Sequence, residues 1–192
     1  MGTVVGGIIA AFGLSASAGL NAYIPLLIVS LVAKFTPLIK LADTWEPLTS
    51  WWIIGLLVVL SLVEFFADKF PVVNHVNDII QSFIRPTAGA ILFAVSAQAV
   101  TEIHPVLSIA AGLLMAGGVH AVKSFVIRPI VTATTAGAAN TPVSILEDVT
   151  SIAVSALSIL LPILGIIILV IMATVIIWWV IDRSKKPKVT AI

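Results

Sequence analysis

The chain has 192 residues, of which 60% are hydrophobic and 10% are charged, with a formal net charge of +1. Its mean hydropathy of +1.19 is far above that of a soluble domain, in which about a quarter of the residues carry charge. The composition therefore predicts an all-α integral membrane protein, and it excludes a basic nucleic-acid-binding surface. Because the sequence has no cysteine, disulfides and thiolate metal sites are also excluded.

Charge-free runs and proline or glycine breaks divide the chain into about six predicted transmembrane helices. A helix needs roughly 20 residues to cross about 30 Å of hydrocarbon, and residues 1–33 and 149–181 carry no charge. The predicted spans are residues 4–34, 49–68, 86–101, 105–127, 144–161 and 163–181. They form one transmembrane domain over residues 1–183, followed by a basic cytoplasmic tail at 184–192.

Two segments depart from a simple span. The first span is too long to cross untilted, and its small residues at 15–19 predict either a helix break or close packing against a neighbouring helix. Residues 72–84 carry polar side chains at helical spacing, opposite an apolar face. This pattern predicts an amphipathic interfacial helix, which is either a membrane-surface element or a lid over a cytoplasmic cavity.

The distribution of lysine and arginine favours a topology with both termini in the cytoplasm. Eight of the ten basic residues fall at predicted cytoplasmic ends, and only Lys34 and Lys40 fall outside. We therefore expect a multi-pass protein of the inner or plasma membrane. If residues 149–181 were instead one helix kinked at Pro162, the chain would have five spans and the basic tail would lie outside.

An internal similarity links the first and fourth predicted helices. Residues 13–22 align without gaps with residues 112–121, and Asn21 corresponds to His120. The alignment predicts two half-repeats, 1–101 and 105–183, which are inverted because each has an odd number of helices, as in many secondary transporters. The same glycine-rich faces are also suited to joining two protomers, so a homodimer is expected.

Two pairs of carboxylates are candidate ligands for a proton or a cation. Glu64 and Asp68 share a helical face, and their repulsion calls for a proton, a cation or a basic partner. Glu147 and Asp148 begin the fifth span, where Ser144 and Glu147 also fit a capping box. The four carboxylates predict a site for a proton or a divalent cation such as Mn²⁺, Ca²⁺ or Mg²⁺. No other cofactor is expected.

Polar residues on other helices are expected to join these carboxylates. His120 and Lys123 share a helical face, Asn21 occupies the corresponding place in the first helix, and Asn140 lies in a turn signal before the second acidic pair. Burying a lysine near a helix centre costs roughly 2.5–3.5 kcal/mol, so Lys123 needs a carboxylate partner. The connected network is either a structural cluster of ion pairs, a proton or ion pathway, or an anion or lipid-headgroup site.

The sequence contains no catalytic motif, and we expect no enzyme activity. The leading hypothesis is a secondary transporter or channel for a small cation or proton. The alternative is a non-transporting lipid-binding, accessory or structural protein, in which Arg85, Lys123 and Arg128 bind anionic lipid headgroups or a partner's acidic surface. Membrane lipids are expected partners.

Four segments carry most of the polar residues. They are Ser17-Ala18-Gly19-Leu20-Asn21-Ala22 with Pro25, Glu64-Phe65-Phe66-Ala67-Asp68-Lys69-Phe70-Pro71, His120 with Lys123, and Asn140-Thr141-Pro142-Val143-Ser144-Ile145-Leu146-Glu147-Asp148. They resemble the bacterial membrane-protein family catalogued as domain of unknown function 4126, over most of the chain up to about Ile181. The resemblance implies polar or charged residues at these positions but no activity. Glu64, Asp68 and Lys69 are also similar to the E-x-G-D-K/R-T/S motif of six-helix cation/proton exchangers, with one residue more in the spacing and no glycine before Asp68.

Overall fold

The computed structural model describes residues 4–69, 71–98, 103–160 and 174. The regular elements of this part are all helical, as predicted. They are α1 (Val4–Leu20), α2 (Tyr23–Phe35), a 3-10 helix (Asp43–Thr49), α3 (Trp51–Ala67), α4 (Pro71–Gln98), α5 (Pro105–Val122), a π-helical turn (Lys123–Ile127), α6 (Arg128–Thr135) and α7 (Asn140–Leu160). The predicted span at 163–181, apart from residue 174, and the tail at 184–192 lie outside the described residues.

Several helices are long and apolar enough to cross a membrane, as expected of a membrane protein. Three candidate spans are Asn77–Ala97, Pro105–Thr135 and Asn140–Leu160. The 3-10 helix and α3 together form a fourth candidate, bent by 61°, while α1 and α2 are shorter apolar helices. The described residues therefore do not confirm a total of six spans.

The predicted first span consists of two helices, α1 and α2. The patch at 15–19 lies inside α1 and packs closely, because a Cβ atom at Gly19 would come 2.6 Å from the carbonyl oxygen of Ala116. In the same patch, the hydroxyl of Ser15 donates to the carbonyl of Gly89 at 2.8 Å. The helix break follows immediately, at Asn21. The close packing therefore lies in the predicted patch and the break lies just after it, so the first span is not one long tilted helix.

The predicted separate interfacial helix is wrong. Residues 72–84 and the predicted span that follows form the single helix α4, which continues through Pro86. Two of the polar residues that suggested a membrane-surface face point into the protein instead: Asn77 donates to Asp68 at 2.7 Å, and Gln81 is 2% exposed. Helical periodicity does not reveal whether such a polar face meets water or the protein interior.

Helix α1 packs against α4, α5 and α7, and it runs in the same direction as α5. Near the start of this contact, Ala111 packs against the apolar group that contains Ala11. Further along both helices, a Cβ atom at Gly19 would meet the side chain of Val119. Inverted repeats would place the two similar segments in opposite directions, so the inverted-repeat prediction is not confirmed. Close packing of two parallel helices explains their shared small residues.

Candidate functional site

Eight charged side chains meet where α1 ends and α2 begins. We call them the charge cluster; its members are Glu64, Asp68, Glu147, Asp148, Lys69, Arg85, Lys123 and Arg128. All except Lys69 are buried. They lie on α4 and α7, at the C-terminal ends of α3 and α5, and at the start of α6. The four predicted carboxylates therefore come together, each of them beside basic groups.

Asp68 lies at the centre of the charge cluster, immediately after α3. Its Oδ2 atom is 3.1 Å from Arg128 Nη2, 3.6 Å from Lys123 Nζ and 3.7 Å from Arg85 Nη2. Its Oδ1 atom accepts a hydrogen bond from the amide of Asn77 at 2.7 Å. Burial disfavours the charged form of this carboxyl group, whereas the three cations favour it.

Glu147 forms ion pairs with Lys123 and Arg128, the two residues after α5 that also contact Asp68. Its Oε2 atom is 2.8 Å from Lys123 Nζ and 3.1 Å from Arg128 Nη2. Lys123 therefore has the carboxylate partner that its burial requires. The capping-box alternative is wrong, because α7 begins at Asn140 and Ser144 lies inside the helix.

Glu64 is completely buried and forms an ion pair with Arg85. Its Oε1 atom accepts hydrogen bonds from Arg85 Nη2 at 2.8 Å and from Arg85 Nε at 3.2 Å. Arg85 Nη1 lies 3.0 Å from Nδ1 of His120, whose Nε2 is 3.1 Å from the hydroxyl of Ser82. Since a guanidinium group only donates, Nδ1 accepts and Nε2–H donates to Ser82. His120 is thus a neutral partner of the charge cluster.

The break between α1 and α2 is held by members of the charge cluster. Lys123 Nζ donates to the carbonyl of Leu20, the last residue of α1, at 3.1 Å. The backbone N–H of Ala22 donates to Glu64 Oε2 at 3.2 Å. The side chain of Asn21 accepts from the backbone N–H groups of Tyr23 and Ile24, at 3.2 and 3.1 Å, as a helix N-cap does. These contacts satisfy backbone groups that the break exposes.

Asn21 also connects the break to Asp148. Its amide donates to Asp148 Oδ1 at 3.0 Å, while Lys69 Nζ lies 3.4 Å from Asp148 Oδ2. Lys69 also lies 3.0 Å above the ring of Phe65. One side chain therefore caps α2 and orients a carboxylate of α7.

The structure does not bring Asn140 into the charge cluster. This residue opens α7 instead of lying in a loop, and its amide contacts the hydroxyl of the exposed Thr132 at 3.0 Å. The turn before it falls at Ala136 and Gly137, which have positive φ values of 51° and 86°. Asn140 thus closes the short connection between α6 and α7.

The remaining site predictions concern lipid and metal ligands. Arg85 is 0% exposed and Arg128 is 8% exposed, so both lie inside the helix bundle and face carboxylates, whereas a headgroup would lie at its surface. Within residues 4–69, 71–98 and 103–160, no three or more acidic or histidine side chains are grouped to hold a metal ion. Binding of lipid or of a divalent cation remains a prediction.

Sequence reasoning missed the contact between α1 and α7. The hydroxyl of Ser17 lies 2.8 Å from that of Ser151 and 2.7 Å from that of Ser155, and all three side chains are fully buried. Hydrogen bonds between serines are common between packed membrane helices. The spacing of serines along α7, with Glu147 and Asp148 on the same face, is the signal that identifies this contact.

Comparison with known proteins identifies the family. The family model described as Domain of unknown function (DUF4126) matches residues 8–182, and the chain belongs to this family. Neither the curated proteins nor the solved structures contain a match to the chain.

Proposed function

We propose that this protein is a secondary transporter or channel for a small ion, either a proton or a cation, and that the ion acts at the charge cluster. One observation carries the proposal: both ends of the helix break are bonded to charged side chains, Lys123 on Leu20 and Glu64 on Ala22. Many secondary transporters form ion sites from broken helices whose ends face the ion. The proposal does not depend on the total number of spans.

The cost of the break supports a functional role. Inside a membrane, each backbone group without a partner costs several kcal/mol, and buried ionisable residues are similarly expensive. A continuous helix over residues 4–35 would avoid the first of these costs. The adjoining π-helical turn at Lys123–Ile127 is a second irregularity of a kind often found at functional sites.

Lys123 suggests how an ion would act on the break. Its ammonium group binds Glu147 at 2.8 Å and the last carbonyl of α1 at 3.1 Å. A proton or cation that neutralises Glu147 would weaken the attraction that holds the ammonium group in place. The end of α1 would then lose its partner. Ion binding and helix movement would thus be coupled through one side chain.

Ion flux into proteoliposomes tests the proposal. Glu147→Gln and Glu64→Gln keep the size of the side chain but remove its charge, and each should lower the flux of protons or cations about tenfold to hundredfold, because hydrogen bonds to charged groups contribute about 1.5–3 kcal/mol. Glu46→Gln is the matched control, since Glu46 is exposed on the 3-10 helix. If both cluster variants fold and conduct like the control, the proposal is wrong.

A structural role is the second candidate, and the pairing within the charge cluster favours it. Every cluster carboxylate already has a basic partner within 3.4 Å. Such a network can hold α1, α4, α5 and α7 in one arrangement without moving an ion. Under this interpretation, the wild-type protein gives no flux above empty liposomes, while the cluster variants lose stability. A complete absence of wild-type flux, with folded protein in the bilayer, would therefore favour the structural role.

A further inference from the structure

The charge cluster has a neighbouring carboxylate that lies outside its ion pairs. Asp78, on α4, lies within electrostatic range of Asp68 and of three cluster cations, Arg85, Lys123 and Arg128. No ion pair joins Asp78 to the described residues. With Asp78 included, five carboxylates face the four basic side chains of the cluster, which leaves one excess negative charge.

The local contacts of Asp78 show the same imbalance. Its Oδ1 atom is buried and has no hydrogen-bond donor among the described residues. The cations nearby are engaged by Glu64, Asp68 and Glu147 at 2.8–3.1 Å. The side chain of Asp78 is only partly buried, but a buried carboxylate oxygen without a donor is costly, and it is relieved by a proton or by a cation.

Gln81 supplies a second, independent observation. It is 2% exposed, and its side chain is hydrogen-bonded to the titratable hydroxyl of Tyr23 on α2, but its Oε1 atom also has no donor among the described residues. Gln81 lies between Asn77 and Arg85 at four-residue intervals, and both of these bind cluster carboxylates, so Gln81 is on the helix face that meets the cluster. Asp78 is three residues before Gln81 and therefore its neighbour on the helix surface. Asp78 Oδ1 and Gln81 Oε1 are thus hydrogen-bond acceptors on adjacent side chains, and both are without a donor among the described residues.

We infer that Asp78 is a proton-binding site, with Gln81 as the acceptor for the bound proton. A hydronium ion transfers its proton to the Asp78 carboxylate and leaves as water, so that the carboxylate becomes a neutral carboxyl group. The carboxyl O–H supplies the donor that Gln81 lacks, and the charges of the five carboxylates and four bases then balance.

Several titratable and charged groups surround this site. Asp68 approaches from the end of α3, Lys123 from the π-helical turn and Arg128 from α6. On α4, the hydroxyl of Ser82 donates to the backbone carbonyl of Asp78 at 2.8 Å and lies 3.1 Å from Nε2 of His120. Proton uptake at Asp78 makes this region one charge more positive. This assignment rests on the proposed function, and it makes the proton the ion that acts there.

Infrared difference spectroscopy of the full chain in lipid nanodiscs tests the site directly. The wild type should show a carbonyl band of a protonated carboxyl group that shifts in D₂O and disappears as the pH is raised. Asp78→Asn, which resembles the protonated form in shape, should lose this band completely while keeping the helical circular dichroism. Asp78→Glu should restore a band, Gln81→Leu should shift it, and the exposed control Glu46→Gln should leave it unchanged.

The outcomes separate this inference from the proposed function. If Asp78→Asn retains every protonated-carboxyl band of the wild type, Asp78 is not the proton site, whatever the flux measurements show. If the band is lost but wild-type liposomes carry no ion, the proton site stands and the transport proposal fails. If the wild type carries protons and Asp78→Asn carries at least tenfold fewer, both are supported.

Discussion

Replacing Lys123 by methionine should be among the most destabilising single substitutions in the described part of the chain. Methionine keeps most of the length of the side chain but removes the ammonium group, which contacts Glu147 at 2.8 Å, Asp68 at 3.6 Å and the Leu20 carbonyl at 3.1 Å. The residue is 1% exposed, so water cannot replace these contacts without repacking. The charge cluster would then carry an uncompensated negative charge.

The magnitude follows from the burial of the ion pairs. Removing one partner from a buried pair costs about 3–5 kcal/mol. For a chain of this size, each kcal/mol lowers the melting temperature by roughly 2–4 °C, so Lys123→Met should melt about 6–20 °C below the wild type. Reversible unfolding in mixed micelles measures the free energy, and thermal circular dichroism measures the melting temperature. The control is Lys40→Met, because Lys40 is exposed and should change stability by less than about 0.5 kcal/mol.

A double variant separates the loss of the ion pair from simple loss of packing. Glu147→Gln combined with Lys123→Met removes a positive and a negative charge together, and it should recover about 0.5–3 kcal/mol relative to the sum of the single effects. If Lys123→Met unfolds like the Lys40→Met control, the ion pairs do not stabilise the bundle. If the double variant shows no recovery, the damage from Lys123→Met comes from packing and not from the unpaired carboxylate.

Three further predictions concern the break, the helix contact and acid stability. Asn21→Ala removes the cap of α2 and should cost about 0.5–2 kcal/mol in micelle unfolding; an unchanged free energy would show that the cap is dispensable. Gly112→Ala should destabilise the protein by about 1–3 kcal/mol, because the added Cβ would collide with the backbone of α4. Gly118→Ala, where a Cβ would meet nothing within 4 Å, should instead stabilise it by about 0.5–1 kcal/mol. Equal effects of the two substitutions would contradict the close approach of α5 to α4. Because three cations stabilise the charged form of Asp68, acid that protonates this carboxylate should remove its ion pairs and lower the stability of the folded state. Unfolding measured against pH should therefore be less acid-sensitive in Asp68→Asn than in the wild type.

The small number of charged residues is the feature that allowed part of the site to be predicted from the sequence. In an apolar chain, Lys123 has to find a carboxylate, and the sequence offers few. This reasoning predicts the pairing of Lys123 with an acid and the assembly of Glu64, Asp68, Glu147 and Asp148. It does not choose among partners, because that choice depends on how helices distant in sequence pack.

The polar face of α4 shows what the sequence pattern does not predict. Asn77, Asp78 and Gln81 have the spacing of a membrane-surface helix, and the same spacing also suits a buried helix beside charged neighbours. Period alone does not distinguish water from a carboxylate as the partner of a polar side chain. Pro86 likewise suggests a boundary, although the helix continues through it. Long-range contacts decide both cases.

The helix break and the charge cluster explain each other in a way that neither does alone. A break beside Asn21 leaves backbone N–H and C=O groups that lipid cannot satisfy, and the cluster contains charges that lipid cannot solvate. Glu64 accepts from the exposed N–H of Ala22, and Lys123 donates to the exposed carbonyl of Leu20, so each deficit is met by the other. Because the same two side chains also hold the ion pairs, any change in the charge of the cluster must alter the free energy of the break.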